Sequence, residues 1–241
     1  MRFEWTDETI VFFERASRYT GFHEKLAALI RPYVKKGEEL IDVGCGLGRI
    51  DFEIADDVKS ITAIDKDPAV IEYMNERVRV LGVTNIVPTV ADACTVADGA
   101  YDILLLSFFG ASAGDLKALI AKARRRVILI THGADTDPRH SLIQRKPKRI
   151  FAREAETFFK TEGYVYRAYT ANLDFSQPFK SKEEALRFFE YYASERDSET
   201  QEARADLFMS RLAETGDAVY PYLLPKPKDV GIFIIESRGA L

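Results

Sequence analysis

The sequence predicts an α/β fold, a twisted and mostly parallel β-sheet with helices on both faces. Three observations predict it. Residues 39–50, ELIDVGCGLGRI, run from a short apolar segment (Leu40, Ile41, Val43) through glycines at alternate positions (Gly44, Gly46, Gly48) into a stretch that can be helical. Strand, glycine turn and helix form the opening unit of a nucleotide-binding sheet. Strand-like and helix-like stretches then alternate five times between residues 39 and 131, the mark of parallel strands joined by right-handed crossovers. Finally, the second apolar run (Ile61, Ala63, Ile64) ends in Asp65, about 20 residues past the turn, where such sheets place an acid for ribose hydroxyls.

The elements follow in order. Residues 1–36 read as a helical cap. Thr6 can cap a helix whose first turn carries Asp7 and Glu8. A second amphipathic helix puts Leu26, Leu29, Ile30 and Tyr33 on one face. Trp5, Phe12, Phe13, Tyr19 and Phe22 add an aromatic load that is usually core; Tyr19, just before Thr20-Gly21, is the candidate to reach a ligand. Asp67 and Pro68 read as N-cap and first position of a helix over 68–81, with Ile71, Met74, Val78 and Leu81 inward and Gly82 ending it. The third strand runs through NIVPTVADA to Asp92, the fourth is YDILLLSFFG, and the fifth is RVILIT at 126–131. Arg124, Arg125 and Arg126 read as a solvated helix end favoured by the helix dipole. A polar loop follows, then a helix over 151–161 and a sixth strand over 164–173. Ser181 to Glu184 has the form of a capping box opening a helix with Leu186, Phe188, Phe189 and Tyr192, and a charged helix spans about 199–214. VGIFII at 230–235 is the last strand.

The chemistry of the turn narrows the ligand. Glycine lets the backbone bend sharply and lets a ligand press against the main chain. A dinucleotide fingerprint, G-x-G-x-x-G, needs a glycine where Arg49 stands, and a Walker loop needs a G-K-[ST] that is absent. Asp42 places a carboxylate beside the turn, which disfavours a diphosphate and suits an ammonium or sulfonium cation. The pattern D-x-G-x-G-x-G over 42–48 resembles motif I of the class I S-adenosylmethionine-dependent methyltransferases. Asp65, Asp92 and the fourth strand follow in the family's order, so the resemblance covers roughly residues 37 to 131.

The resemblance implies a Rossmann-like, seven-stranded, mostly parallel sheet of order 3-2-1-4-5-7-6, its last strand antiparallel. The expected organisation is one domain over 1–241: a cap (1–36), a core sheet (37–175), a helical insertion between strands six and seven (176–228), read as a lid over the acceptor site or equally as an appendage used for dimerisation, and the final strand (229–241). The cofactor would be S-adenosylmethionine, released as S-adenosylhomocysteine. Asp42 would lie near its cationic methionine end, with Gly44, Cys45, Gly46 and Gly48 beside it. Asp65, with neighbouring Lys66, would take the ribose. Asp92, with Ala93, would take the adenine amine, and Ser107 and Tyr19 would complete the cofactor pocket.

The fourth strand bears on the acceptor. Family enzymes that methylate exocyclic base amines or glutamine amides carry [DN]-P-P-[YFW] there; this chain has Ser107-Phe108-Phe109-Gly110. The catechol-type metal-dependent enzymes have an acidic ligand at this place, and Ser107 is not one. The expectation is a metal-free enzyme for a small molecule. Aromatic residues favour a planar or partly apolar acceptor, and the basic run Arg145, Lys146, Lys148, Arg149 favours an anionic group, unless it is simply solvated surface. His132, just past strand five, is the candidate base, with a loop histidine as the plain alternative; His140 is a weaker one.

Composition sets outer bounds. A chain of 241 residues suits one α/β domain with insertions. Its net charge of −4 argues against a nucleic-acid substrate. No apolar run is long enough for a bilayer, and the acidic start MRFEWTDETI is no signal peptide. Cys45 and Cys94 read as small residues in a reducing cytosol. The expected setting is therefore cytoplasmic, away from membranes, as monomer or homodimer. Competing readings are an RNA methyltransferase using 145–149, a non-catalytic S-adenosylmethionine-binding protein, and an NAD(P)-linked oxidoreductase.

Overall fold

In a computed structural model of the chain, residues 5–110, 112–133, 150–192 and 201–236 are described. The central strand forms because Leu40, Ile41 and Val43 have nowhere better to go than a two-sided interior. β1 (Glu39–Val43) is buried over its last four residues. It pairs in parallel with β2 (Ser60–Asp65) on one side and with β4 (Tyr101–Ser107) on the other. β3 (Ile86–Val90) adds to β2, and β5 (Ala123–His132) adds to β4, both in parallel. β10 (Pro227–Glu236) runs antiparallel along β5 and sits between it and β6 (Tyr166–Asp174). The order β3-β2-β1-β4-β5-β10-β6 is the expected 3-2-1-4-5-7-6, with β10 as the seventh strand. Ile103, Leu104, Leu105 and Leu106 of β4 are all fully buried, as a parallel strand covered on both faces requires.

The helices that cover the sheet are set by their caps. α3 (Arg49–Ile54) begins at Gly48, and α4 (Pro68–Leu81) begins at Asp67, whose side chain accepts from the Ala69 N–H. Gly82 ends α4 in the left-handed conformation. α5 (Ala113–Ile120) and α6 (Ala152–Thr161) pack with β4, β5 and β10 around Leu116, Ala155, Phe159 and Phe233. Among the described residues no helix is long and apolar enough to cross a membrane.

The described residues divide into two compact units. Residues 23–133, 150–171 and 229–236 form the sheet unit, and residues 5–22, 172–192 and 201–228 form the other. In the second unit, α1 (Asp7–Thr20) packs with α7 (Lys182–Tyr192) and α8 (Gln201–Ser210) around Phe12, Phe179, Phe188, Phe189 and Phe208. Phe12 and Phe188 meet edge to face at 5.2 Å. Arg15 and Glu184 form a 2.7 Å ion pair, both side chains nearly buried. A small antiparallel sheet, β7 (Gln177–Phe179), β9 (Tyr222–Leu224) and β8 (Ala213–Glu214), completes it.

Several local expectations need correction. Arg124, Arg125 and Arg126 are not a helix end. They open β5, where Arg124 meets Asp102 at 3.2 Å and Arg126 meets Glu236 at 3.4 Å, opposite it in register. Acids at the amino ends of β1 and β4 (Glu38, Glu39, Asp102) draw these cations into the strand. In α4 the inward residues are Val70, Ile71 and Met74; Val78 is half-buried and Leu81 exposed, because α4 covers β2 and β3 at the sheet margin and its last turn opens to solvent. Leu29 and Leu186 are exposed as well. The charged helix at 199–214 is shorter: α8 ends at Ser210 and Ala213–Glu214 pairs as β8. Ser181 does accept from the Glu184 N–H, but the Glu184 carboxylate turns to the Lys180 N–H and to Arg15 rather than closing the box.

Candidate functional site

The carboxyl ends of β1, β2, β3 and β4 bring the sequence-predicted residues to one rim of the sheet. After Val43 the chain bends through Gly44, Gly46 and Gly48, all left-handed, with φ of 72°, 53° and 64°. The Gly44 and Cys45 N–H groups donate to the Ile64 carbonyl at 2.8 and 3.0 Å, which ties the turn to the end of β2. The glycines differ in their surroundings. A Cβ on Gly44 would lie 2.4 Å from the Phe109 ring, and one on Gly48 would lie 2.2 Å from Met74 Cε. Around Gly46 nothing lies within 4 Å. Two glycines are therefore required by close packing, and the third leaves bare backbone facing open space.

Asp65 clamps this turn. One carboxylate oxygen accepts from the Gly46 N–H at 3.1 Å and the other from the Asp67 N–H at 3.0 Å. Each oxygen keeps a second acceptor position for a ligand hydroxyl. Lys66 reaches across to Asp92, 2.6 Å away. Asp92 also caps a short turn (Ala93–Thr95) by accepting from the Cys94 N–H at 2.9 Å. That backbone bond, and then Lys66, pull the Asp92 carboxyl down to about 2. Ser107 is the last residue of β4 and is half-buried.

Asp42 is 2% exposed and Asp51, in the first turn of α3, is fully buried. The two carboxyls are neighbours. Asp42 Oδ1 and both oxygens of Asp51 are buried and meet no donor from any other described residue, so the two carboxyls have only each other as hydrogen-bond partners there. Burial pushes Asp42 up to about 7 and Asp51 well above the usual carboxylate range, and Asp65 adds repulsion at Asp42. Burial, with these acids close by, also holds Cys45 as the thiol; its Sγ lies 3.4 Å from the Met74 sulfur. Sequence reasoning missed Asp51. The signal was there, since Asp51 lies three and four residues before the buried Ile54 and Ala55 and so carries an acid onto the apolar stripe of α3.

A second cluster stands at the ends of β4 and β5. Phe108 takes a left-handed φ of 50°, rare for a bulky residue. The His132 ring lies 5.1 Å from Phe108 and 6.0 Å from Phe151, centroid to centroid, tilted against both. Phe108 and Phe151 had drawn no attention in the sequence as partners of His132. Tyr19 belongs to the other unit; it is exposed, and its ring meets Tyr220 edge to face at 6.1 Å. His140 and the basic run 145–149 lie outside the described residues. Two surface depressions, about 380 Å³ along α6 and about 530 Å³ at the amino ends of β2 and β3, are away from the glycine turn. Among the described residues no three His, Cys, Asp or Glu side chains are grouped as a metal-ligand set.

Comparison with known proteins bears on the fold and the family. The YcgJ protein of Bacillus subtilis is similar in structure at 16% identity, over 90% of this chain and 100% of that one, with a TM-score of 0.61. A SAM-dependent methyltransferase from Aquifex aeolicus is similar at 14% identity, over 97% and 100% of the two chains, with a TM-score of 0.56. Precorrin-6y C5,15-methyltransferase from Geobacter metallireducens is similar at 12% identity, over 88% of this chain and 89% of that one, with a TM-score of 0.52. These likenesses establish the fold. No curated protein matches the sequence. The model of a methyltransferase domain family matches residues 34–205, well over half the chain. The chain therefore belongs to that family, within the class I S-adenosylmethionine-dependent methyltransferases.

Proposed function

We propose that this protein transfers a methyl group from S-adenosylmethionine to a small-molecule acceptor, with no metal in the reaction. The residues on the rim fit that cofactor. Buried oxygens of Asp42 and Asp51 have, among the described residues, no donor but each other and suit a cationic group, Gly46 offers open backbone, and Asp65 keeps acceptor positions for ribose hydroxyls. S-adenosylmethionine, when bound, supplies a methyl already activated on its sulfonium sulfur. The chain's own work is then alignment and water exclusion. Asp42 would hold the methionine end, Asp65 the ribose and Asp92, with Ala93, the adenine edge. Lys66 would act through Asp92, which it holds ionised. Cys45, buried as the thiol, would line the pocket without acting as a nucleophile.

The acceptor reading rests on one observation, the aromatic corner at the ends of β4 and β5, where Phe108 and Phe151 both contact His132. A planar or partly apolar acceptor would lie against these rings, and the His132 imidazole would take a proton from its hydroxyl or amine. The experiment is to incubate the protein with a metabolite pool and a labelled methyl donor and to identify the product by mass. Label in a small molecule supports the reading, and label only in RNA overturns the acceptor class. If His132 is the base, His132→Ala lowers kcat roughly 10²- to 10⁴-fold while cofactor affinity stays put. Unchanged turnover removes that assignment.

A further inference from the structure

The buried acids Asp42 and Asp51 have a use that a cofactor anchor alone does not explain. Asp42 is the acid of the motif I pattern; Asp51 is a second carboxyl placed against it from α3. Two carboxyls sharing one buried site do not both ionise, because each charge repels the other and burial disfavours both. The pair therefore holds one proton at neutral pH, as an acid hydrogen-bonded to a carboxylate.

The charged groups around the pair do not offset it. The third acid, Asp65, adds negative charge, and the Cys45 thiol is neutral. Arg49, on α3 itself, turns to Glu53 at 3.6 Å, and Lys66 turns to Asp92. Met74, from α4, presents only a thioether.

We infer that the Asp42–Asp51 pair exchanges its shared proton for the ammonium group at the methionine end of the cofactor, with Asp51 a positioning residue that acts through Asp42. This rests on the proposed cofactor. The balance is simple. The free pair carries one proton and one negative charge. When the ligand ammonium arrives as the counter-cation, the second carboxyl ionises and one proton leaves to solvent. Binding and proton release are then linked, so affinity rises with pH where the free pair is still protonated. Burial that raises both acids sets this window near neutrality.

The test is isothermal titration of the intact protein with S-adenosylhomocysteine at pH 6.5, in phosphate and in imidazole, whose ionisation enthalpies differ. At that pH a free α-ammonium group is still protonated, since its pKa is about 7.7 to 8.0. Wild type should show buffer-dependent heat corresponding to release of a large part of one proton. Its Kd should tighten by up to roughly tenfold per pH unit between pH 6 and 7. Asp51→Asn keeps the shape and a donor toward Asp42, leaves only the Asp42 carboxyl to titrate, and should release less proton than wild type, with a shallower pH profile. Wild-type heat that is the same in both buffers overturns the inference and leaves the cofactor assignment standing, a result that needs no variant to fold. Equal proton release by Asp51→Asn overturns the role of Asp51. No binding at any pH overturns the cofactor assignment and this inference together.

Discussion

Gly46 and Gly48 share one backbone conformation and differ in what surrounds them. At Gly48 an alanine would meet both the cost of a left-handed φ and the Met74 side chain, so Gly48→Ala should destabilise by roughly 2 to 4 kcal/mol. At Gly46 only the φ penalty applies, roughly 1 to 2 kcal/mol, because no atom crowds the new methyl. Denaturant titration of both variants measures the difference; equal losses would show that packing does not separate them. The same contrast explains what was legible at this scale. The spacing of Gly44, Gly46 and Gly48, the strand-end position of Asp65 and the cap at Asp92 are local features and show in the sequence. Asp51 and the Phe108–His132–Phe151 corner arise when separate elements meet, so their neighbours in sequence do not announce them.

Elements were legible where a periodic apolar pattern coincided with a cap. α4 has Asp67 before it and Gly82 after it, and its bounds follow. β5 was read short because three arginines look like solvent-exposed residues. Their partners Glu39 and Asp102 sit on other strands, with Glu38 just before β1, and outweigh local propensity. The small sheet of β7, β8 and β9 was not foreseen, since strands of two or three residues carry no usable alternation. Packing between elements gives a further prediction at Gly231. A Cβ there would lie 2.6 Å from the Ala152 Cβ, so β10 and α6 approach as closely as two small residues permit. Gly231→Ala should push α6 off the sheet and cost roughly 1 to 3 kcal/mol, read as a lower denaturant midpoint. A midpoint equal to wild type would show that the helix yields freely.

For the whole molecule, the acid pair ties stability to pH. Asp42 is raised to about 7 and Asp51 well above the usual carboxylate range, both by burial and from an unfolded value near 4. Between those values the folded chain holds a proton that the unfolded chain has released, so the pair's contribution falls as pH rises. It is complete below about pH 4 and lost as pH passes about 7. The melting temperature of the free protein should accordingly drop from pH 5.5 to pH 8, and Asp51→Asn should flatten that drop. Identical slopes for the two proteins would mean that the pair does not titrate in this range.

The strand order of the main sheet was legible because motif I, Asp65, Asp92 and the fourth strand occur in one sequence in the family's order. The second unit left no such trace; its core joins α1 to helices far along the chain. Everything functional depends on the rim at the ends of β1, β2 and β3 receiving a cationic thioether nucleoside. A crystal structure with S-adenosylhomocysteine tests that most directly. The account predicts the ammonium beside Asp42, the ribose hydroxyls on Asp65, the adenine at Asp92 and backbone contact at Gly46. The nucleoside bound elsewhere, with these four positions untouched, would contradict it.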